Sequence, residues 1–139
     1  MSGILLVRDI MARNVKTVRT DDTVLEAVSK MNKFRIGSVI VTNNGRPVGI
    51  ITERNILQRI VEPGFDPAVV RAKDIMSSPL ITIDPNAAVE EAAQIMARKQ
   101  IKKLPVVEND KVVGIISTSD IVRTSPTQLG ILEELLRVR

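Results

Sequence analysis

The chain contains no cysteine, histidine, tryptophan or tyrosine, and its only aromatic residues are Phe34 and Phe65. Without Cys or His there is no disulfide framework, no thiol nucleophile, no Ser–His–Asp triad and no zinc site of ordinary composition. Acid–base chemistry near neutral pH would rest on carboxylates or lysines alone, which disfavours most enzymes. Two Phe cannot supply the stacking platforms that sequence-tolerant single-strand binders use, so a nucleic-acid partner is disfavoured too. Long apolar runs are also missing, because polar residues interrupt each one well short of a membrane span. The opening Met1–Arg8 has no basic n-region and too short an apolar stretch for a signal peptide. The expected setting is the cytoplasm, with no membrane attachment.

What is present suits a packed protein. The 139 residues are 44% hydrophobic and 26% charged, enough for one compact domain or two small ones in tight contact. Basic residues number 20 against 16 acidic, a net charge of +4. So mild an excess suits anionic partners without demanding them. The basic side chains are mostly scattered, with Lys102-Lys103 forming one adjacent pair.

The sequence repeats itself. Asp9-Ile10-Met11 returns as Asp74-Ile75-Met76, an offset of 65. The same offset carries Thr17 to Thr82, Ala27 to Ala92, Met31 to Met96, and Val48-Gly49-Ile50-Ile51 to Val113-Gly114-Ile115-Ile116. About a third of the positions in 8–58 match those in 73–123 without a gap, which identifies a tandem duplication.

Each copy reads as strand, helix, strand, strand, helix. In the first, Val15 to Val18 is a short strand. Thr23-x-x-Glu26 forms a capping box, followed by Val24, Ala27, Val28 and Met31 on one helical face. Gly37 to Thr42 is apolar and β-branched, as a strand buried on both faces would be. Asn44-Gly45 is a two-residue hairpin turn leading into Pro47 to Ile51. A last helix starts near Thr52 and ends before Pro63-Gly64. In the second copy Val89, Ala92, Ala93 and Met96 line the first helix, and Asn109-Asp110 replaces Asn-Gly.

These patterns predict a first repeat over 1–61, a connector over 62–72, a second repeat over 73–124, and an amphipathic C-terminal helix over 125–139. The tail places Leu129, Leu132, Leu135 and Leu136 on one face, which suits closure of the fold's own core before a dimer contact. One copy of about fifty residues can hardly bury a sufficient core, whereas two packed face to face can. A duplicated unit should pair about a pseudo-twofold axis, which creates two equivalent clefts between the copies.

In both copies a strand ends in Gly-Ile-Ile and turns directly into a helix: Thr52-Glu53-Arg54-Asn55 in one, Ser117-Thr118-Ser119-Asp120 in the other. Thr52 and Ser117 fall at the N-cap, where free N–H groups and the helix dipole favour an anion such as phosphate. A carboxylate at Asp120 can accept from both hydroxyls of a ribose, and Asn55 only through a neutral amide oxygen. The plainer alternative is that all four merely cap their helices. Recurrence in copies that otherwise differ at most positions favours the ligand reading.

The ordered set D-I-M, h-x-T, V-x-E-A, G-S-V-I-V or K-L-P-V-V, and G-I-I-[ST]-x-x-[DN] resembles a tandem pair of CBS (cystathionine-beta-synthase-type) domains, a Bateman module, over residues 7 to about 123. The resemblance implies an α+β fold of two βαββα repeats packed through their sheets, plus the C-terminal helix. It implies adenosine-based ligands in the clefts, namely AMP, ADP or ATP, with S-adenosylmethionine as the alternative. It further implies a homodimer that acts as a sensor on another protein, with no catalysis and no catalytic cofactor or metal.

Carried over residue by residue, one cleft takes Ser117, Ser119 and Asp120, with Met11, Asn14, Lys16, Ile36, Gly37, Ser38 and Ile40 as the opposing wall. The mirror cleft takes Thr52, Arg54 and Asn55, facing Met76, Pro79, Ile81, Ile101, Lys102, Lys103 and Pro105. Asn55 departs from the family's Asp, but Arg54, Lys102 and Lys103 give that cleft the charge to prefer more phosphate. The competing function is a structural or interaction module with vestigial clefts, for which Asn55 is the best support.

Overall fold

The structure is a computed structural model, and it describes residues 3–124 together with Ile131 and Glu133. Its class is mixed α+β. In chain order the elements are α1 (Val7–Ile10), β1 (Thr17–Arg19), α2 (Val24–Phe34), β2 (Ser38–Asn43), β3 (Arg46–Thr52) and α3 (Glu53–Ile56). They continue with α4 (Ala72–Ile75), α5 (Val89–Lys99), β4 (Lys103–Glu108), β5 (Lys111–Ser117) and α6 (Thr118–Thr124). A π-helical turn over Leu57–Val61 extends α3. The C-terminal helix expected over 125–139 lies outside the described residues except for Ile131 and Glu133, both helical.

The chain divides into two compact units. One is Val15–Leu80, and the other joins the residues up to Asn14 to those from Ile81 onward. The units therefore differ from the sequence repeats in one respect: each D-I-M segment is housed with the other repeat.

In the Val15–Leu80 unit, β1 runs parallel to β2, and β2 pairs antiparallel with β3. Three successive residues of β2, Val39, Ile40 and Val41, are buried, as expected for a strand covered on both faces. The expected capping box forms: Thr23 Oγ1 accepts from the Glu26 N–H at 3.1 Å, and Glu26 Oε2 accepts from the Thr23 N–H at 2.7 Å. The apolar face of α2, with Val24, Ala27 and Met31, then joins Val18, Val39, Val41, Ile51, Ile60, Ala72 and Ile75 in one core. Asn44 and Gly45 both have positive φ (54° and 81°), as a twist-matched two-residue turn requires.

The other unit repeats this plan at the 65-residue offset. β4 and β5 pair antiparallel with the same register shift near their middle that β2 and β3 show. Its core gathers Val7, Met11, Ile83, Val89, Ala92, Ala93, Met96, Leu104, Val106, Ile116 and Ile121, with Ile131 packed against it. One expected strand shrinks. The segment Ile81–Ile83 is reduced to a single parallel bridge, Ile83 to Val106, where the first repeat has all of β1. Prolines explain it. In the first repeat the N–H of Ile40 donates to Lys16 O (3.0 Å) and that of Thr20 to Thr42 O (3.0 Å). The equivalent positions are Pro105 and Pro85, which have no N–H to give.

Candidate functional site

The two recurring motifs meet inside each unit. Asp9 and Asp74 stand in the first turn of α1 and α4, where Asp9 Oδ2 accepts from the Leu6 N–H (2.9 Å) and Asp74 Oδ2 from the Arg71 N–H (3.2 Å). Ile75 is buried, and Ile10 packs at the edge of its core. The Met of each motif then lies across the glycine of the other repeat's V-G-I-I strand. A Cβ built on Gly114 would stand 2.5 Å from Met11 Sδ and 2.9 Å from Ala12 O; one on Gly49 would stand 2.4 Å from Met76 Sδ and 3.0 Å from Ser77 O. Only glycine admits so close an approach. Reciprocal backbone bonds secure each contact, Ala12 with Ile115 in one unit and Ser77 with Ile50 in the other.

That arrangement brings a D-I-M segment beside the G-I-I-[ST]-x-x-[DN] turn. In the Val15–Leu80 unit, Asn55 is the only buried polar residue among those described, 5% exposed. Its Oδ1 accepts from the Thr52 N–H (2.8 Å) and the Thr52 hydroxyl (3.0 Å). Its Nδ2 donates to Ser77 Oγ at 3.0 Å, and its own N–H donates to Thr52 Oγ1 at 3.3 Å. The Glu53 N–H donates to Gly37 O at 3.2 Å, and Ser38 is the cross-strand partner of Thr52. Arg54 donates from Nε (3.2 Å) and Nη2 (3.3 Å) to the side-chain oxygen of Gln58 when that amide is oriented by its partners. Arg59 holds the segment in place by donating to Ile75 O (2.8 Å) and Met76 O (3.1 Å).

In the other unit, Asp120 Oδ2 accepts from the Ser117 N–H at 2.9 Å, and Ser117 Oγ accepts from the Asp120 N–H at 3.1 Å. Asp120 Oδ1 is paired with Arg123 Nη2 at 2.7 Å; the carboxylate side is 14% exposed and the guanidinium side 67%. The Thr118 N–H donates to Lys102 O at 3.0 Å, and Lys103 is the cross-strand partner of Ser117. Both turns are thus closed capping arrangements whose hydroxyl and carboxyl or amide groups converge at one strand-to-helix junction.

The candidate ligand residues are distributed as follows. Lys16, Ile36, Gly37, Ser38, Ile40, Thr52, Arg54, Asn55, Met76 and Pro79 belong to the Val15–Leu80 unit; Met11, Asn14, Ile81, Ile101, Lys102, Lys103, Pro105, Ser117, Ser119 and Asp120 belong to the other. Within its unit Lys16 Nζ sits 4.3 Å from the centre of the Phe34 ring, a cation–π contact. Three participants escaped the sequence reading: Ser77, Gln58 and Arg123. Ser77 is 22 residues from Asn55, so no local pattern announces it. Arg123 stands one helical turn beyond Asp120, and that spacing was readable.

Comparison with known proteins agrees with this architecture. The model of the CBS domain matches twice, over residues 7–62 and 72–126. The CBS domain-containing protein YhcV of Bacillus subtilis is 35% identical over 115 residues, which cover 83% of this chain and 81% of that protein. The hexameric CBS-CP12 protein from bloom-forming cyanobacteria superposes with a TM-score of 0.84 at 34% identity, over 89% of this chain and 70% of that one. A CBS domain pair in complex with 5′-methylthioadenosine and S-adenosyl-L-methionine superposes with a TM-score of 0.79 at 28% identity, over 90% of this chain and 98% of that one. With the domain model matched twice along the chain and the same fold in its neighbours, the chain belongs to the CBS-domain family as a tandem pair.

Proposed function

We propose that the chain is a non-catalytic regulatory module that binds adenosine-based ligands and passes their occupancy to another protein. The observation that carries the reading is the recurrence of one strand-to-helix junction in both units, with the same cap bonds made by Thr52 and Asn55 and by Ser117 and Asp120. A CBS pair of 28% identity in complex with two adenosine compounds supports the ligand class. AMP, ADP and ATP are the proposed ligands, with S-adenosylmethionine as the alternative. The two junctions would differ in what they read: Asp120 offers a carboxylate to ribose, whereas Arg54 offers a cation to phosphate.

Homodimerisation is part of the proposal. Leu57, Val61 and Phe65 are 61%, 62% and 57% exposed, and they follow one another along the π-helical turn and the loop behind it. A second copy would cover them, and sedimentation at several concentrations would show a Val61→Glu chain staying monomeric where the parent associates.

Thermal melting with AMP, ADP, ATP, S-adenosylmethionine and GTP tests the ligand reading. A ligand at about a thousand times its Kd adds about 4 kcal/mol of stability and several degrees of melting temperature. A shift confined to adenosine compounds is expected. No shift with any of them would leave the module as an interaction scaffold.

A further inference from the structure

We propose that Asn44-Gly45 is a site of spontaneous covalent modification, at which Asn44 deamidates through a succinimide, and that the matching turn of the second repeat is spared. Seven asparagines occur in the chain, and Asn44 is the only one followed by glycine. The pair forms the exposed turn between β2 and β3. The last bonded pair of that ladder is Asn43 with Arg46, so the Gly45 N–H lies outside it. Beyond its two chain neighbours, nothing stands within 4 Å of the place a Gly45 Cβ would occupy, so no other segment packs over that side of the turn.

The chemistry needs only water. The Gly45 nitrogen gives up its proton and attacks Cγ of Asn44, forming the new N–C bond as the Cγ–N bond of the side-chain amide breaks. Ammonia departs with the proton, leaving a five-membered succinimide. Water then opens the ring at either carbonyl, giving aspartate or isoaspartate at position 44. The net change is gain of water and loss of ammonia, with no oxidant or reductant. Glycine matters because any Cβ on the following residue crowds the nitrogen as it approaches. In the second turn that residue is Asp110, whose Cβ obstructs the attack and whose negative charge opposes loss of the amide proton. Asn55, followed by Ile56, is held by its own hydrogen bonds and buried.

Isoaspartate would lengthen the main chain of a two-residue turn by one methylene. Both residues of the turn hold positive φ, 54° and 81°, a geometry that a longer link cannot reproduce. The register that runs from this turn to Ser38 and Thr52 would loosen in the Val15–Leu80 unit, leaving the other unit unchanged.

The test is incubation of the folded full-length chain at mildly alkaline pH, followed by peptide mapping by mass spectrometry and enzymatic methylation of isoaspartyl carboxylates. Asn44 is expected to convert at least about tenfold faster than Asn109. An Asp110→Gly chain creates a second Asn-Gly turn at a residue that already has φ of 64°, so it should fold and make Asn109 convert at a comparable rate. A Gly45→Asp chain copies the second turn and should protect Asn44. Intact Asn44 over a period in which an unfolded peptide of the same sequence converts would overturn the proposal. So would an Asp110→Gly chain that leaves Asn109 untouched while Asn44 reacts.

Discussion

The two strand-to-helix junctions occupy equivalent places in their units, yet they satisfy the same groups differently. At one, Asn55 spends its amide oxygen on Thr52 and its amide nitrogen on Ser77. At the other, the position equivalent to Ser77 is Ala12, which has no acceptor for an amide nitrogen, and the residue is Asp120. The second carboxylate oxygen is met by Arg123, whose counterpart in the first repeat is Gln58. Asn55 is therefore matched to its neighbour. A buried amide with both ends bonded is stable, whereas the same amide opposite alanine would leave donors unpaired. The amide at position 55 is thus complemented by the serine that faces it.

The sharpest way to break the likeness between the units is to fill the glycines under the methionines. Gly49→Ala and Gly114→Ala should each destabilise by about 1–3 kcal/mol, because the added Cβ meets a backbone carbonyl as well as a thioether. Denaturant unfolding would measure it. Adding Met11→Ala to Gly114→Ala should restore only part of the loss, since Ala12 O remains. Full recovery would mean that the methionine alone dictates the glycine.

Helix capping offers a transplant between the units. Ala88 stands at the N-cap of α5 with φ and ψ of −72° and 146°, close to the −76° and 158° of Thr23, and it makes no side-chain cap bond. Glu91 already sits three residues on, so Ala88→Thr should complete a capping box and add about 1 kcal/mol. Thr23→Ala should remove a similar amount from the first repeat. If the two substitutions together leave the melting temperature where it began, the helices contribute equally to a shared transition.

The smallest expected effect tests the matching of Asn55 to Ser77. Asp120→Asn places an amide opposite Ala12 and should lose more stability alone than with Ala12→Ser. A double-mutant cycle should give a favourable coupling of about 0.5–1 kcal/mol. A coupling of zero would show that the partly exposed amide is satisfied by water and that the match is incidental.

Much of the fold was legible because its signals are local. The Thr23 box, the faces of α2 and α5, both hairpin turns and the buried β2 strand depend on residues within a few positions of one another. The shortened first strand of the second repeat was legible in principle, since Pro85 and Pro105 occupy the two donor positions. It escaped notice because it takes both strands of a pair to reveal a missing bond. The junction residues Thr52, Asn55, Ser117 and Asp120 were found by recurrence. Their partners were not, because Ser77 and Ala12 reach them from segments distant in sequence.

The sequence by itself determined that there are two copies of one unit, where the longer helices, the hairpin strands and their turns lie in each, and where the junction hydroxyls and carboxyl or amide groups lie. Only the tertiary structure decided which D-I-M segment rests on which V-G-I-I strand. The two segments are chemically alike, as are the two strands, so no periodicity or propensity can distinguish the pairings. The chain's path settles it: each segment is bonded into the other repeat's unit, with Met11 over Gly114 and Met76 over Gly49.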